Sequence, residues 1–265
     1  MTSRGVDYSW SRPGGAAIKA AGFDFVMRYV PYPGDGGKGL TLDELRDLAE
    51  NGLPVGLVFE STAGRMFDGY PAGEYDAQIA AAASDKFGLS QMAIYFACDV
   101  DTQPDTIAYI DDYLAGAASV LGIMRVGVYG EYDVVEHCHE VGSAVWYWQT
   151  YAWSGGQKSS WRHIYQYENG QTLNGGAVDY NEAYGEFGQW TPEEEEMTPE
   201  QVEAIVTKVI GRDFSEYLEE YFAGHFSERN GVVSELNPEG RSPIRPWLED
   251  IAARVRTVPG IAHDE

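Results

Sequence analysis

The sequence is short of cysteine, of basic residues and of long apolar runs. Its 265 residues include 2 cysteines, and 18 lysines and arginines face 42 aspartates and glutamates, a formal net charge of −24. That charge excludes nucleic-acid binding through phosphate neutralisation. No stretch approaches the ~20 apolar residues of a membrane span, and the N-terminus lacks the basic and apolar regions of a signal peptide. We therefore expect no membrane insertion. We also expect that the protein is made in the cytoplasm and has no signal peptide.

Cysteine and histidine do not form a metal-binding pattern. Cys138 lies between His137 and His139, but adjacent residues on a helix face different directions, and the sequence holds no second ligand cluster. The glycine-rich stretches lack the strand and helix context of phosphate loops. We expect neither a metal nor a cofactor.

The segment MAIYFACDVD, residues 92–101, is an apolar run of strand character that ends in Asp99 and Asp101. Residues two apart on a strand point to the same side, so both carboxyl groups are expected to face one space. Two such acids repel each other's ionised forms, which raises one pKa and leaves a proton donor beside a carboxylate. Glycoside hydrolysis uses this pairing. Cation binding and capping of the following helix are the alternatives.

Acids recur at the ends of other predicted strands. Asp7 ends the first apolar segment, Glu60 ends PVGLVFE, and Asp179 follows GGAV. In a barrel of parallel strands, the C-terminal strand ends lie on one face, where such enzymes keep their catalytic groups. The pattern therefore predicts one acidic site.

Strand and helix signals alternate along the first 188 residues, which predicts an α/β fold. Strands are predicted near residues 5–7, 23–30, 54–61, 92–99, 125–129, 144–151, 163–167 and 176–179, and helices at 13–21, 42–50, 75–87, 106–121 and 133–139. Eight strands favour a (β/α)8-like TIM barrel over a doubly wound open sheet. Because 188 residues is below the ~200 to 250 usual for this fold, the late helices must be trimmed.

The remaining chain differs in character. Residues 189–198 contain four consecutive glutamates and are typical of an acidic linker. Residues 199–265 begin with a helix start signal and an apolar stripe from Val202 to Ile210, so a small α-helical segment is expected. Such a segment makes a poor core of its own. We expect its helices to bind another copy of the chain or a larger assembly.

Five motifs in the barrel region resemble one known family. They are GVDYS, YFACDVD, GVYGEY, VWYWQTYAW and YQYENGQTLNGGAVDYNEAY. Their order and spacing are similar to those of the lysozyme-type muramidases of glycoside hydrolase family 25, and more closely to their glycoside-hydrolase-like relatives in actinobacterial proteins and their phages. The resemblance implies that Asp7, Asp99, Asp101 and Asp179 are the active-site acids, with Asp101 as general acid. The muramidase pattern is Asp-X-Glu, whereas here the second acid is aspartate.

Several other side chains near predicted strand ends are candidate substrate-binding groups. Aromatic rings can stack on sugar rings, and Arg28 could either pair with an active-site acid or hold a substrate carboxylate. The candidates are Arg28, Tyr29, Glu60, Tyr129, Trp148, Gln166 and Tyr167.

The resemblance implies cleavage of a β-1,4 glycosidic bond in peptidoglycan or a related glycan, at the cell wall or as part of a phage particle. An endolysin or a virion-associated hydrolase would fit. The alternative is a catalytically weak or inactive glycan-binding protein of a virion or envelope, anchored by its C-terminal helices.

Overall fold

The structure is a computed structural model that describes residues 2–104 and 106–192. Its strands are β1 (Ser3–Asp7), β2 (Phe25–Tyr29), β3 (Val55–Phe59), β4 (Ile94–Ala97), β5 (Val126–Gly130), β6 (Trp146–Thr150), β7 (Ile164–Leu173) and β8 (Gly176–Ala183). Its α-helices are α1 (Gly15–Ala20), α2 (Leu42–Glu50), α3 (Tyr70–Lys86), α4 (Ala108–Leu121) and α5 (Tyr132–Val141). No helix in this part of the chain has the length and apolar content needed to cross a membrane.

The eight strands form a closed barrel in sequence order, which confirms the predicted fold. Neighbouring strands from β1 to β7 are parallel. β8 is antiparallel to both β7 and β1, so the expectation of an all-parallel barrel is wrong for the last strand.

β8 runs antiparallel to its neighbours because a hairpin takes the place of the last crossover. Asn174 and Gly175 connect β7 to β8, with φ angles of 47° and 78°. Two central residues with positive φ are typical of a tight hairpin turn, and Asn-Gly is the favoured pair there. A two-residue turn forces the next strand to run back beside the previous one.

Side chains alternate between the barrel interior and the helix-facing side. The interior cluster includes Phe25, Met27, Tyr95, Tyr129 and Trp148. Outward-facing residues pack under the helices in a separate and larger cluster. This alternation determines which strand residues reach the site.

One end of the barrel is closed by the chain that follows β8. Phe187 packs on Phe25 with ring centroids 4.7 Å apart, and its carbonyl accepts a hydrogen bond from the Tyr95 hydroxyl at 2.8 Å. Trp190 exchanges backbone hydrogen bonds with Val55, at the start of β3. The interior is therefore filled at the N-terminal ends of the parallel strands.

Candidate active site

A cavity of about 100 Å3 lies inside the barrel near the C-terminal ends of the parallel strands. Four carboxyl groups face it, together with aromatic, amide and small apolar side chains. The lining residues are Asp7, Tyr29, Val58, Glu60, Ala97, Asp99, Tyr129, Trp148, Gln166, Asn169 and Asp179.

Asp7, the last residue of β1, is 4% exposed. Its Oδ2 accepts hydrogen bonds from Gln166 Nε2 at 2.8 Å and from Asn181 Nδ2 at 2.7 Å. Burial, and secondly the negative charge of Asp179, raise the pKa of Asp7 to about 7. Asp7 therefore holds a proton at a pH where an ordinary aspartate is ionised.

Asp179 lies in β8 directly across from Asp7 in the antiparallel pair. Its Oδ1 accepts a hydrogen bond from the backbone amide of Gly170 at 2.7 Å. Burial raises the pKa of Asp179, and the Gly170 hydrogen bond opposes that rise. Because β8 runs backwards, Asp179 reaches the cavity from the first half of its strand and not from its end.

Glu60 and Asp99 complete the acidic lining. Glu60 directly follows β3, and its Oε2 lies 3.1 Å from Lys38 Nζ. Burial, and then the charge of Glu60, raise the pKa of Asp99, while Lys38 opposes this rise. The Lys38 ammonium also lies 4.4 Å from the centre of the Tyr29 ring. One cation thus contacts a carboxylate and an aromatic ring of the cavity wall.

Three more of the predicted binding residues meet at the cavity floor. The Tyr129 hydroxyl donates to Gln166 Oε1 at 2.8 Å. Trp148 packs edge-on against the Tyr129 ring, with centroids 4.7 Å apart. The Trp148 indole N–H donates to Asn181 Oδ1 at 2.9 Å. A continuous network therefore connects Tyr129 and Trp148 to Asp7 through two amide side chains.

Asp101 does not share this space, so the expected geometry of the acid pair is wrong. β4 ends at Ala97, and Asp99 and Asp101 lie in the following loop, where strand alternation no longer applies. Asp101 is exposed and does not line the cavity. Its neighbour Thr102 is hydrogen-bonded through its backbone N–H to the buried Glu131 carboxylate at 2.6 Å.

Arg28 is also placed differently from the prediction. It is fully buried on the outer face of β2, where its Nε donates to Glu44 Oε1 at 2.7 Å. The same guanidinium donates to the carbonyl of Lys38 at 2.9 Å. It is therefore unavailable to a substrate carboxylate, and its ion pair is with a helix residue. Its charge lowers the pKa of Asp7 only as a minor effect.

Tyr167 lies beyond the cavity lining. It lies where the register of β7 against β8 shifts, between Gln166 and Glu168, and its ring is 6.2 Å from that of Tyr180. Regular alternation is interrupted at such a shift, so the strand pattern did not predict which way this side chain faces.

The sequence reasoning missed three polar residues of the site: Lys38, Asn169 and Asn181. Asn181 could have been found, because it lies two residues after Asp179 and so shares its face. Lys38 and Asn169 are carried by a loop and by an irregular part of the β7–β8 hairpin, where the register shifts twice. No periodic signal marks such positions.

A closed α/β barrel that brings four strand-associated carboxyl groups into one cavity defines a glycoside-hydrolase-like protein. The chain belongs to the Rv2525c-like, glycoside hydrolase-like domain family, whose profile matches residues 16–183. This confirms the family expected from the sequence.

Two known proteins illustrate the likeness. Rv2525c of Mycobacterium tuberculosis, provisionally named a peptidoglycan hydrolase, is 31% identical over 204 residues, covering 70% of this chain and 82% of that protein. Its crystal structure with L-tartrate gives a TM-score of 0.67 at 27% identity, covering 71% of this chain and 98% of that one. A lysozyme from Streptomyces coelicolor gives a TM-score of 0.45 at 15% identity, covering 69% and 92% of the two chains.

The expectation about localisation needs correction. The M. tuberculosis protein is described as Tat-secreted. This contradicts our expectation of a protein made without a signal peptide.

Proposed function

We propose that this protein binds the glycan strands of peptidoglycan and hydrolyses a β-1,4 glycosidic bond in them. The convergence of Asp7, Glu60, Asp99 and Asp179 on one cavity carries the proposal. Glycoside hydrolysis needs one carboxyl group that keeps its proton and another that is ionised. The provisional name of the mycobacterial relative supports peptidoglycan as the substrate.

Asp99 is the proton donor in this proposal. It lines the cavity, and its raised pKa favours the protonated form needed to transfer a proton to the leaving oxygen. Asp101, which held this role in the sequence-based prediction, is exposed outside the cavity. It remains a candidate only if a bound glycan lies over the rim.

Asp7 and Asp179 act as a pair. Their opposed positions favour one shared proton over two charges. Two amide donors occupy Oδ2 of Asp7, which directs the proton to its other oxygen. The charge shared with Asp179 stabilises a developing oxocarbenium ion or orients the N-acetyl group of the substrate.

A glycan-binding protein with weak or absent hydrolysis is the second candidate, favoured by the exposure of Asp101 outside the cavity. An endolysin or virion-associated hydrolase would use the same site, and that finer description rests on sequence resemblance alone. Either protein would place the same four carboxyl groups against sugar.

We also propose that residues 199–265 bind another copy of the chain or a larger assembly. The predicted helix lies outside the described residues. Support comes from its apolar stripe, which includes Val202, Ile205 and Val209.

The decisive experiment is release of reducing ends from purified peptidoglycan by the wild type, by Asp99→Asn and by Asp43→Asn. Asp43 is a surface residue of α2 paired with Arg46, and serves as a matched control. We expect wild-type rates for the control and loss of release for Asp99→Asn. Binding to peptidoglycan without any release by the wild type would favour the second candidate.

A further inference from the structure

Two aromatic rings are exposed beside the cavity, at the C-terminal end of β6. Trp148 of this strand lines the cavity, and the strand ends at Thr150. Tyr151 and Trp153 follow, with 43% and 46% of their surface exposed. Three residues span at most ~10 Å. Both residues therefore lie within about 10 Å of the end of a strand that lines the cavity.

The loop that carries these rings is held by buried polar side chains. Gln149, fully buried, donates to Ser154 Oγ at 3.2 Å and accepts from the amide of Ser159 at 2.8 Å. The Ser154 hydroxyl donates to the carbonyl of Thr150 at 2.6 Å and accepts from the amide of Tyr132 at 2.9 Å. The loop is therefore held by hydrogen bonds to β6 and to the first residue of α5, although it has no regular secondary structure.

The backbone at Trp153 is strained. Its φ angle is 57°, and among the described residues Asn174, in the hairpin turn, is the only other non-glycine residue with positive φ. Bulky residues rarely adopt this conformation, and such strain persists where the surroundings enforce it, often at ligand sites. A glycine would fit this backbone better. The exposed indole is therefore held in place at a cost to stability.

We propose that Trp153, together with Tyr151, forms an outer subsite that stacks on a sugar ring of a glycan whose neighbouring units enter the cavity. The subsite rests on the proposed function and adds a binding position to it. The cavity of about 100 Å3 is smaller than the ~300 to 1,000 Å3 of typical ligand pockets. Most of a bound chain must therefore lie outside it, on the rim.

Aromatic rings suit this task because the apolar faces of pyranose rings pack on them. A single stacking position contributes only to ligands long enough to reach it. The subsite therefore predicts an affinity that depends on chain length. A ring with a purely structural role would not produce such a dependence.

The test uses Trp153→Gly, which removes the indole and relieves the positive φ. The full chain, in an Asp99→Asn background that keeps the ligand intact, is titrated calorimetrically with peptidoglycan glycan fragments of two and eight sugars. We expect Trp153→Gly to weaken binding of the eight-sugar fragment about tenfold and to leave the two-sugar fragment unchanged. Its melting temperature should equal or exceed that of the parent. Trp153→Phe should retain most of the affinity.

Trp161→Ala is the matched control. Trp161 is 48% exposed in the same β6–β7 connection but stacks on His139, at the other end of the barrel. It should bind both fragments like the parent. Equal binding of the eight-sugar fragment by Trp153→Gly and the parent would overturn the subsite and leave the proposed function standing. A wild type that binds neither fragments nor intact peptidoglycan would overturn both.

Discussion

Asp7 and Asp179 are direct partners across the antiparallel pair of β1 and β8. Partner residues in such a pair point to the same face, here into the cavity. Their proximity in a buried space explains why the charge of Asp179 adds to burial in raising the pKa of Asp7 to about 7. The reversed direction of β8 therefore has a chemical consequence.

Asp7→Asn should change how stability depends on pH. The folded-state pKa of Asp7 is about 7, above its ordinary value of 3.8. Its protonated form therefore stabilises the fold below about pH 4, and this contribution is lost as pH rises toward 7. The loss is at most about 4 kcal/mol, from 1.36 kcal/mol per unit. Asparagine has no proton to lose and keeps an acceptor for Gln166 and Asn181.

Thermal unfolding of both proteins between pH 4 and 8 measures this difference. The variant should gain stability relative to the wild type as pH rises to 7, with no further gain above it. Parallel melting curves across the range would show that Asp7 is ionised in the folded protein. The same variant should have impaired glycan cleavage, because Asp7 lines the cavity.

The pKa of Asp99 should move in opposite directions in two neighbouring variants. The charge of Glu60 raises this pKa, and that of Lys38 lowers it. Glu60→Gln should therefore lower the pKa of Asp99, and Lys38→Met should raise it. Carboxyl-detected NMR titration reads the shifts directly. If Asp99 donates the proton, the pH at which activity falls on the alkaline side should shift in the same direction as the pKa of Asp99 in each variant. Shifts of one sign in both variants would contradict this arrangement.

Gly170 positions Asp179, and Gly170→Ala should raise the pKa of that carboxyl group. The Gly170 φ of 70° allows its amide to point at Asp179, 2.7 Å away. Alanine at positive φ costs roughly 1 to 2 kcal/mol, and relaxation of the backbone would withdraw the amide. Loss of that hydrogen bond destabilises the ionised form.

Gly22→Ala is the control for this prediction. Gly22 has a φ of 79°, and like Gly170 it has nothing within 4 Å of an added Cβ. Both variants should lose similar stability in thermal unfolding. Only Gly170→Ala should shift the Asp179 titration seen by NMR. An identical Asp179 titration in wild type and Gly170→Ala would leave Gly170 with a turn-forming role alone.

The barrel fold could be predicted from the sequence because apolar runs and helix signals alternate clearly along it. The predicted second helix at 42–50 coincides with α2, where Thr41 Oγ1 caps the amide of Glu44 at 3.2 Å. The acids after strands were also a reliable signal, since Asp7, Glu60 and Asp99 reach one cavity.

The errors came from strand length and direction. The predicted strand at 92–99 ran two residues past the end of β4, so alternation was applied to Asp99 and Asp101 beyond Ala97, where it no longer holds. Arg28 was assigned to the site although its neighbour Tyr29 occupies the inward position. Asn174–Gly175 is a hairpin turn signal. The prediction instead treated this connection as a shortened crossover, and so it missed that β8 runs antiparallel.

Asp99→Asn and Asp101→Asn separate the two candidates for proton donor. Loss of a general acid typically costs about 10²- to 10⁴-fold in rate, and we expect that loss for Asp99→Asn. Asp101→Asn should retain most activity because Asp101 is exposed outside the cavity. Asp101→Glu should also behave like the wild type. Initial rates of reducing-end release decide the matter, and a greater loss in Asp101→Asn would return the donor role to Asp101.

A chain ending at Pro192 should fold and keep its glycan chemistry. The barrel closes through the β1–β8 pairing, and the plug formed by Phe187 and the Trp190–Val55 pairing both lie before this end. Circular dichroism, thermal unfolding and reducing-end release test this. A chain ending at Tyr184 is the control, and should unfold at a clearly lower temperature because it loses the plug.

Light scattering should show a change in assembly mass between the full chain and the 192-residue form if residues 199–265 mediate association. An unfolded 192-residue form would show that the barrel needs the rest of the chain.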